Sequence, residues 1–143
     1  MKIFLLHHAD AVGPDVDPQR PLSSKGLAHA AALAIKAKDK GCAPAAIWHS
    51  GKLRARQTAE PFLRECQPFA EFKMMRGLLP DDPPAMMVDT LSHETRDVML
   101  AGHMPHMADL LRALSPASLP FPLHGLVALE RDEHGAKELW RVQ

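Results

Sequence analysis

The chain predicts a three-layer α/β fold, with helices on both faces of a mostly parallel sheet. Three observations carry that expectation. Short continuous apolar runs of strand length alternate with segments patterned as helices. Three of those runs end on a histidine or a small residue beside one. The last stretch is different, with two β-like runs joined across a glycine turn, as an antiparallel hairpin would be. The order reads β-α-β-α-β-α-β-α-β-β, a single domain over residues 1–143.

Each element has a local reason. "KIFLLH" is apolar throughout, as a strand covered on both faces must be. A loop rich in Pro, Asp and Gly follows. "LSSKGLAHAAALAIKAKDKG" is a helix that Ser23 or Ser24 can cap and Gly41 can stop. "AAIWHS" is a second buried strand, and "GKLRARQTAEPFLREC" a second helix with Ser50 at its cap and Pro61 marking a break or kink. "EFKMM" reads as a short strand, "RGLLPDDPP" as a loop, and "PAMMVDTLSHE" as a helix opened by proline. "DVMLAGH" is a fourth strand and "MPHMADLLRALS" a fourth helix. "LVALER" and "KELWRV" flank "DEHG" as the closing hairpin.

The bulk composition removes several classes of function. Lys+Arg and Asp+Glu balance at 17 each, which gives no global attraction to nucleic acid or anionic membrane. No apolar run has the roughly 20 residues of a membrane helix, and the first residues lack the pattern of a signal peptide. Two cysteines, Cys42 and Cys66, are too few for a disulfide scaffold and suit a reducing cytoplasm. Nine histidines are the unusual feature.

In open α/β sheets, ligands bind beyond the carboxyl ends of the strands. Strand one ends at His7-His8, strand two at His49-Ser50, and strand four at Gly102-His103, so these segments share one pocket edge. His29, His93, His124 and His134 fit helix, turn or surface roles instead. The opening of the second helix adds Lys52, Arg54 and Arg56 at an N-terminus that offers free N–H groups to an anion. Arg20, in the loop after strand one, can fold back over the same edge. Histidine and arginine around an anion site suggest phosphoryl chemistry. A metal site using His103 and His106, with His7 or His8 as a further ligand, is a weaker reading, since Pro105 interrupts the spacing and no acid or cysteine completes the ligand set.

With those residues in place, the chain resembles the histidine phosphatase superfamily, and within it the small SixA-type phosphohistidine phosphatases. "HHA" at His7-His8-Ala9 matches the family's Arg-His-Gly or Arg-His-Ala. "RPLS" at Arg20 to Ser23 matches "RPLT". Ser50, Arg54, Gln57 and Thr58 match "SxxxRxxQT", and Gly102-His103-Met104-Pro105 matches the later histidine before a helix.

The resemblance implies a phosphoglycerate mutase-like fold and a phosphatase with His8 as nucleophile. Arg54 and His103 would bind the transferring phosphoryl group, with His7, Arg20 and Ser50 as further phosphate contacts. It implies no metal and no cofactor. The substrate would be a phosphorylated protein carrying phosphohistidine, or a small phosphorylated molecule, with a place in signal transduction. No nucleic-acid or membrane partner is expected.

Two departures matter. His7 stands where the family has arginine, which is charged at any working pH. Histidine is mostly neutral at pH 7. An adjacent phosphate would favour its imidazolium, so His7 could still contribute one donor. Loss of the permanent charge leads to an expectation of weakened activity, an acid-shifted optimum or binding without turnover. The acid of larger family members has no motif match here. Asp81 is the candidate, with a loop-capping role as its alternative.

Overall fold

The computed structural model describes residues 1–143. Ten elements follow the predicted order: β1 (Lys2–His7), α1 (Ser24–Asp39), β2 (Ala46–His49), α2 (Leu53–Cys66), β3 (Glu71–Met74), α3 (Pro84–Ser92), β4 (Val98–Gly102), α4 (His106–Leu114), β5 (Leu126–Asp132) and β6 (Gly135–Val142). They form one six-stranded sheet in the order β3-β2-β4-β1-β5-β6. The first four strands are mutually parallel, and β5 runs antiparallel to both β1 and β6.

Alternation along β1 separates two cores. Ile3 and Leu5 point into one cluster with Met87 and Leu91 of α3 and Met107 and Leu110 of α4. Phe4 and Leu6 point into the other, with Leu33 and Ala37 of α1 and Ala59 and Phe62 of α2. Both faces of the central strands are covered, which is why their sequences are apolar without a polar alternate. Burying a side chain such as Phe62 stabilises the fold by about 1.5–3 kcal/mol.

Two local expectations are corrected. Ser50 does not cap α2: Lys52 occupies the N-cap position, with no side-chain cap bond. Nor does Pro61 break the helix, which runs unbroken to Cys66. Pro61 removes one backbone donor, but the fully buried Ala59 and Phe62 beside it hold that turn against the sheet. Of the two candidate caps for α1, Ser23 is the one used, its Oγ accepting the Gly26 N–H at 3.0 Å.

No helix is long and apolar enough to cross a membrane. Both cysteines are free thiols, Cys42 buried and Cys66 half-buried.

Candidate functional site

The register of the central strands brings the predicted residues together. His7 lies opposite Gly102 across the β1–β4 ladder, and His49 opposite Ala101 across β2–β4. The chain beyond each strand stays close: His8 donates its backbone N–H to the Gly102 carbonyl and His7 to the Gly125 carbonyl, both at 3.0 Å. Three loops thus meet at one edge because their strands are neighbours in the sheet.

Backbone groups set the tautomers of the histidines there. His8 Nδ1 lies 2.7 Å from the Ala9 carbonyl oxygen, which can only accept, so Nδ1 carries the proton and Nε2 keeps its lone pair. His8 titrates at about 4, chiefly through burial, with Arg54 adding to the effect and the Ala9 carbonyl opposing it.

His7 is the reverse case. Its Nδ1 accepts the backbone N–H of His124 at 2.8 Å, so the neutral ring keeps its proton on Nε2. Burial, then His8 and His124, pull its pKa down to about 3. Acceptance at Nδ1 opposes a second proton. His7 is thus neutral here, as is expected of a histidine at pH 7, and it offers one N–H donor, at Nε2.

His103 is buried, and its Nε2 sits 2.6 Å from Ser50 Oγ. Ser50 Oγ accepts the Lys52 N–H at 3.2 Å, and we take its hydroxyl proton to be donated to His103 Nε2. The histidine's proton is then on Nδ1, which has no partner. Its pKa is about 3, from burial first, then His8 and Arg54. The two rings stand close, with the His8 and His103 centroids 5.1 Å apart. Ser50, expected as a helix cap, holds this ring instead.

Arg54 leaves its buried Nε without an acceptor. Burial, then the Arg20 charge, lower its pKa, so two guanidinium groups share the edge. Arg20 does fold back as expected. Its Nε donates to the Val12 carbonyl at 3.0 Å, and its backbone adopts φ +49°, in the left-handed region that non-glycine residues avoid. Lys52, Arg54, Arg56 and Gln19 line an open shelf of about 390 Å³. Arg56 pairs with Glu60, whereas neither Arg20, Lys52 nor Arg54 enters a salt bridge.

Gln57 and Thr58 fasten the site together. Gln57 Oε1 accepts the Leu22 N–H at 2.7 Å, tying α2 to the "RPLS" segment. Thr58 Oγ1 accepts the Ala9 N–H at 3.0 Å and donates to the Arg54 carbonyl at 2.7 Å. The segment after His8 and the turn that carries Arg54 are joined through that one hydroxyl.

His124 lies in a turn, as the sequence suggested, but that turn carries it onto His7 and His8, which sequence reasoning did not foresee. His124 stacks on His7 at 4.9 Å and 7°. Its Nδ1 donates to the His8 carbonyl at 2.6 Å, and its φ is +53°. The only sequence signal was a histidine just before a glycine and the β5 run. His29 of α1 stands edge-on to the same ring at 6.4 Å.

The loop after β3 gives a further correction. Asp82 is the loop-capping acid, its Oδ2 accepting the Leu79 N–H at 2.9 Å. Asp82 also lines a cavity of about 300 Å³ with Ser50, Met74 and Met86. Asp81 is exposed and does not line that cavity.

The only side chains whose donor atoms cluster as a metal site would are His7, His8 and His124, within 4.8 Å of one another, not His103 with His106. His106 is wholly buried with neither ring nitrogen paired. The His7 cluster is a poor cradle for a cation, because His7 Nδ1 is occupied by a backbone N–H and the other nitrogen bears a proton. With Arg20 and Arg54 beside it, this donor set suits an anion better.

Comparisons with known proteins agree with this architecture. No curated protein matches the chain in sequence. The protein histidine phosphatase SixA complexed with tungstate superposes with a TM-score of 0.87 at 22% identity, over 99% of this chain and 96% of that one. The candidate phosphohistidine phosphatase SixA of Agrobacterium tumefaciens gives 0.81 at 25% identity, over 99% and 97%. A phosphoserine phosphatase mutant of Entamoeba histolytica in complex with phosphoserine gives 0.72 at 11% identity, over 98% and 95%. The profile of the histidine phosphatase superfamily (branch 1) matches residues 9–78. In that segment and in its fold, the chain is similar to the histidine phosphatase superfamily.

Proposed function

We propose that the protein is a phosphatase acting through a covalent phosphohistidine on His8, with protein phosphohistidine as its substrate. One observation carries the reading. Two buried donors, Arg54 Nε and His103 Nδ1, have no partner in the protein beside a histidine whose Nε2 lone pair is free. Buried polar groups are rarely left unpaired, and an unpaired set of donors fits an oxyanion that arrives with the substrate.

His8 Nε2 attacks phosphorus, and the bond from phosphorus to the substrate's imidazole nitrogen breaks. That nitrogen keeps the electron pair and takes up a proton from solvent. Water then attacks phosphorus and the His8 nitrogen–phosphorus bond breaks, returning the lone pair to Nε2 and releasing phosphate, while one proton of the water passes back to solvent. Arg54, Arg20 and His103 hold the equatorial oxygens through both steps, with His7 adding one neutral donor and Ser50 fixing the His103 ring. Imidazole leaves phosphorus more readily than an alkoxide, which suits a site where Asp81 is exposed. The likeness to the SixA structures supports the substrate class.

His7 favours a second reading, a weakly active or purely phosphoryl-binding relative, because its neutral ring replaces a permanent charge. Rapid quenching during turnover of a phosphohistidine protein decides between these two. Mass analysis finding one phosphoryl group on His8 supports the phosphatase. A protein that binds the phosphoprotein and never acquires that mass supports the binder.

A further inference from the structure

We propose that His124 is a phosphoryl-contacting residue, whose protonated Nε2 supplies, together with His7, the contact that an arginine at position 7 would make alone. This rests on the phosphoryl-site reading above and adds a residue to it.

Four observations converge on His124. Its Nδ1 is spent on the His8 carbonyl at 2.6 Å, so Nε2 is its only free nitrogen. A ring nitrogen of each of His7, His8 and His124 lies within 4.8 Å of the others. Oxygens of a phosphoryl group carried on His8 would project into that span. Its backbone N–H fixes the His7 ring so that His7 presents a donor. Finally, its φ of +53° is a conformation that a β-carbon disfavours. Such strain persists only where surrounding structure enforces it, and it clusters at working sites. The enforcement is visible here: Arg141 holds the Leu119 and Pro120 carbonyls at 3.1 and 2.7 Å, and Gln143 holds the Leu123 carbonyl at 2.9 Å.

The groups facing His124 are few. His7 and His8 come from β1 and its extension, His29 from α1, and Asp10 from the following loop, where its carboxylate accepts the Ser23 hydroxyl at 2.6 Å. Asp10 is the one acid among them, and its carboxyl is held below the usual range by the Ser23 hydroxyl first and then by the nearby Lys25 charge. His124 is half-exposed, unlike His7 and His103, so water still reaches its ring. An incoming dianion stabilises the imidazolium there by direct charge attraction. His124 would thus restore, on substrate arrival, the charge that His7 lacks.

Tungstate serves as the oxyanion probe, since it remains a dianion at neutral pH. Calorimetry in two buffers of different ionisation enthalpy measures both affinity and proton uptake, for wild type and for His124→Asn. Asparagine tolerates the left-handed backbone and keeps the N–H that fixes His7. Wild type is expected to take up a proton on binding. His124→Asn is expected to lose that uptake and bind about 10–100-fold more weakly, the range for a lost charge-assisted hydrogen bond. Uptake that persists in His124→Asn overturns the proposal, whether or not affinity falls, because a merely structural role leaves the proton balance alone. If wild type binds no tungstate, the phosphoryl-site reading fails and this inference fails with it. Unchanged thermal unfolding of the variant shows that the fold is intact.

Discussion

Ser50 Oγ and His103 Nε2 lie 2.6 Å apart, joining the end of β2 to the end of β4 through one hydrogen bond. That bond decides which nitrogen of His103 faces the anion site. Ser50→Ala should free the ring to rotate or change tautomer. Loss of such an orienting bond costs about 10–100-fold at metal-bound histidines, and a fall of that size in kcat is expected here. Nitrogen-15 spectra of the His103 ring check the tautomer directly, and an unchanged ring in Ser50→Ala would show that Ser50 does not set it.

Thr58 joins two segments of the site. Replacing it with valine keeps the volume and removes the acceptor for the Ala9 N–H, which is buried. The expected loss is about 1–3 kcal/mol of stability, read as a lower urea midpoint at unchanged slope. A smaller loss would mean that the Ala9 N–H finds another partner.

Gly26 is a matter of space. A β-carbon there would lie 2.0 Å from the Asp10 carbonyl oxygen, a backbone atom that cannot swing aside. Alanine is worth up to about 1 kcal/mol over glycine in a helix. The forced displacement of α1 from the His8–Asp10 segment outweighs it, at about 1–3 kcal/mol. A net fall in melting temperature for Gly26→Ala is the expected result.

Acid should destabilise the protein before any carboxylate titrates. His7 and His103 ionise near 6.5 when unfolded and near 3 when folded, so between those values the unfolded chain binds more protons. Stability is full above pH 6.5 and declines as pH falls towards 3, at about 1.4 kcal/mol per pH unit for each ring that stays neutral. Urea unfolding at pH 7.5, 6 and 5 measures the slope.

The order of elements was legible because each depends on a short-range signal: two-sided apolar runs for β1, β2 and β4, Ser23 and Gly41 around α1, and a glycine turn before β6. The meeting of His8, Arg54 and His103 followed from the same reading, since strands β1, β2 and β4 all deliver their ends to one edge. His124 was hidden for a physical reason. It reaches His7 and His8 from more than 110 residues away, on a loop strapped by Arg141 and Gln143, and no periodicity reports such a contact. The tautomer of His7 was hidden likewise, because it depends on a backbone N–H from that loop. Ser50 was mistaken for a helix cap because its real partner is a ring on another strand.

Phosphate release from a phosphohistidine protein, measured from acid to neutral pH for wild type, His8→Ala and His7→Arg, tests the central claim most directly. The account predicts turnover in wild type, none in His8→Ala, and a gain in His7→Arg approaching the 10²–10³-fold that a charged transition-state donor is worth. Release that survives in His8→Ala would contradict it, because His8 would then carry no phosphoryl group.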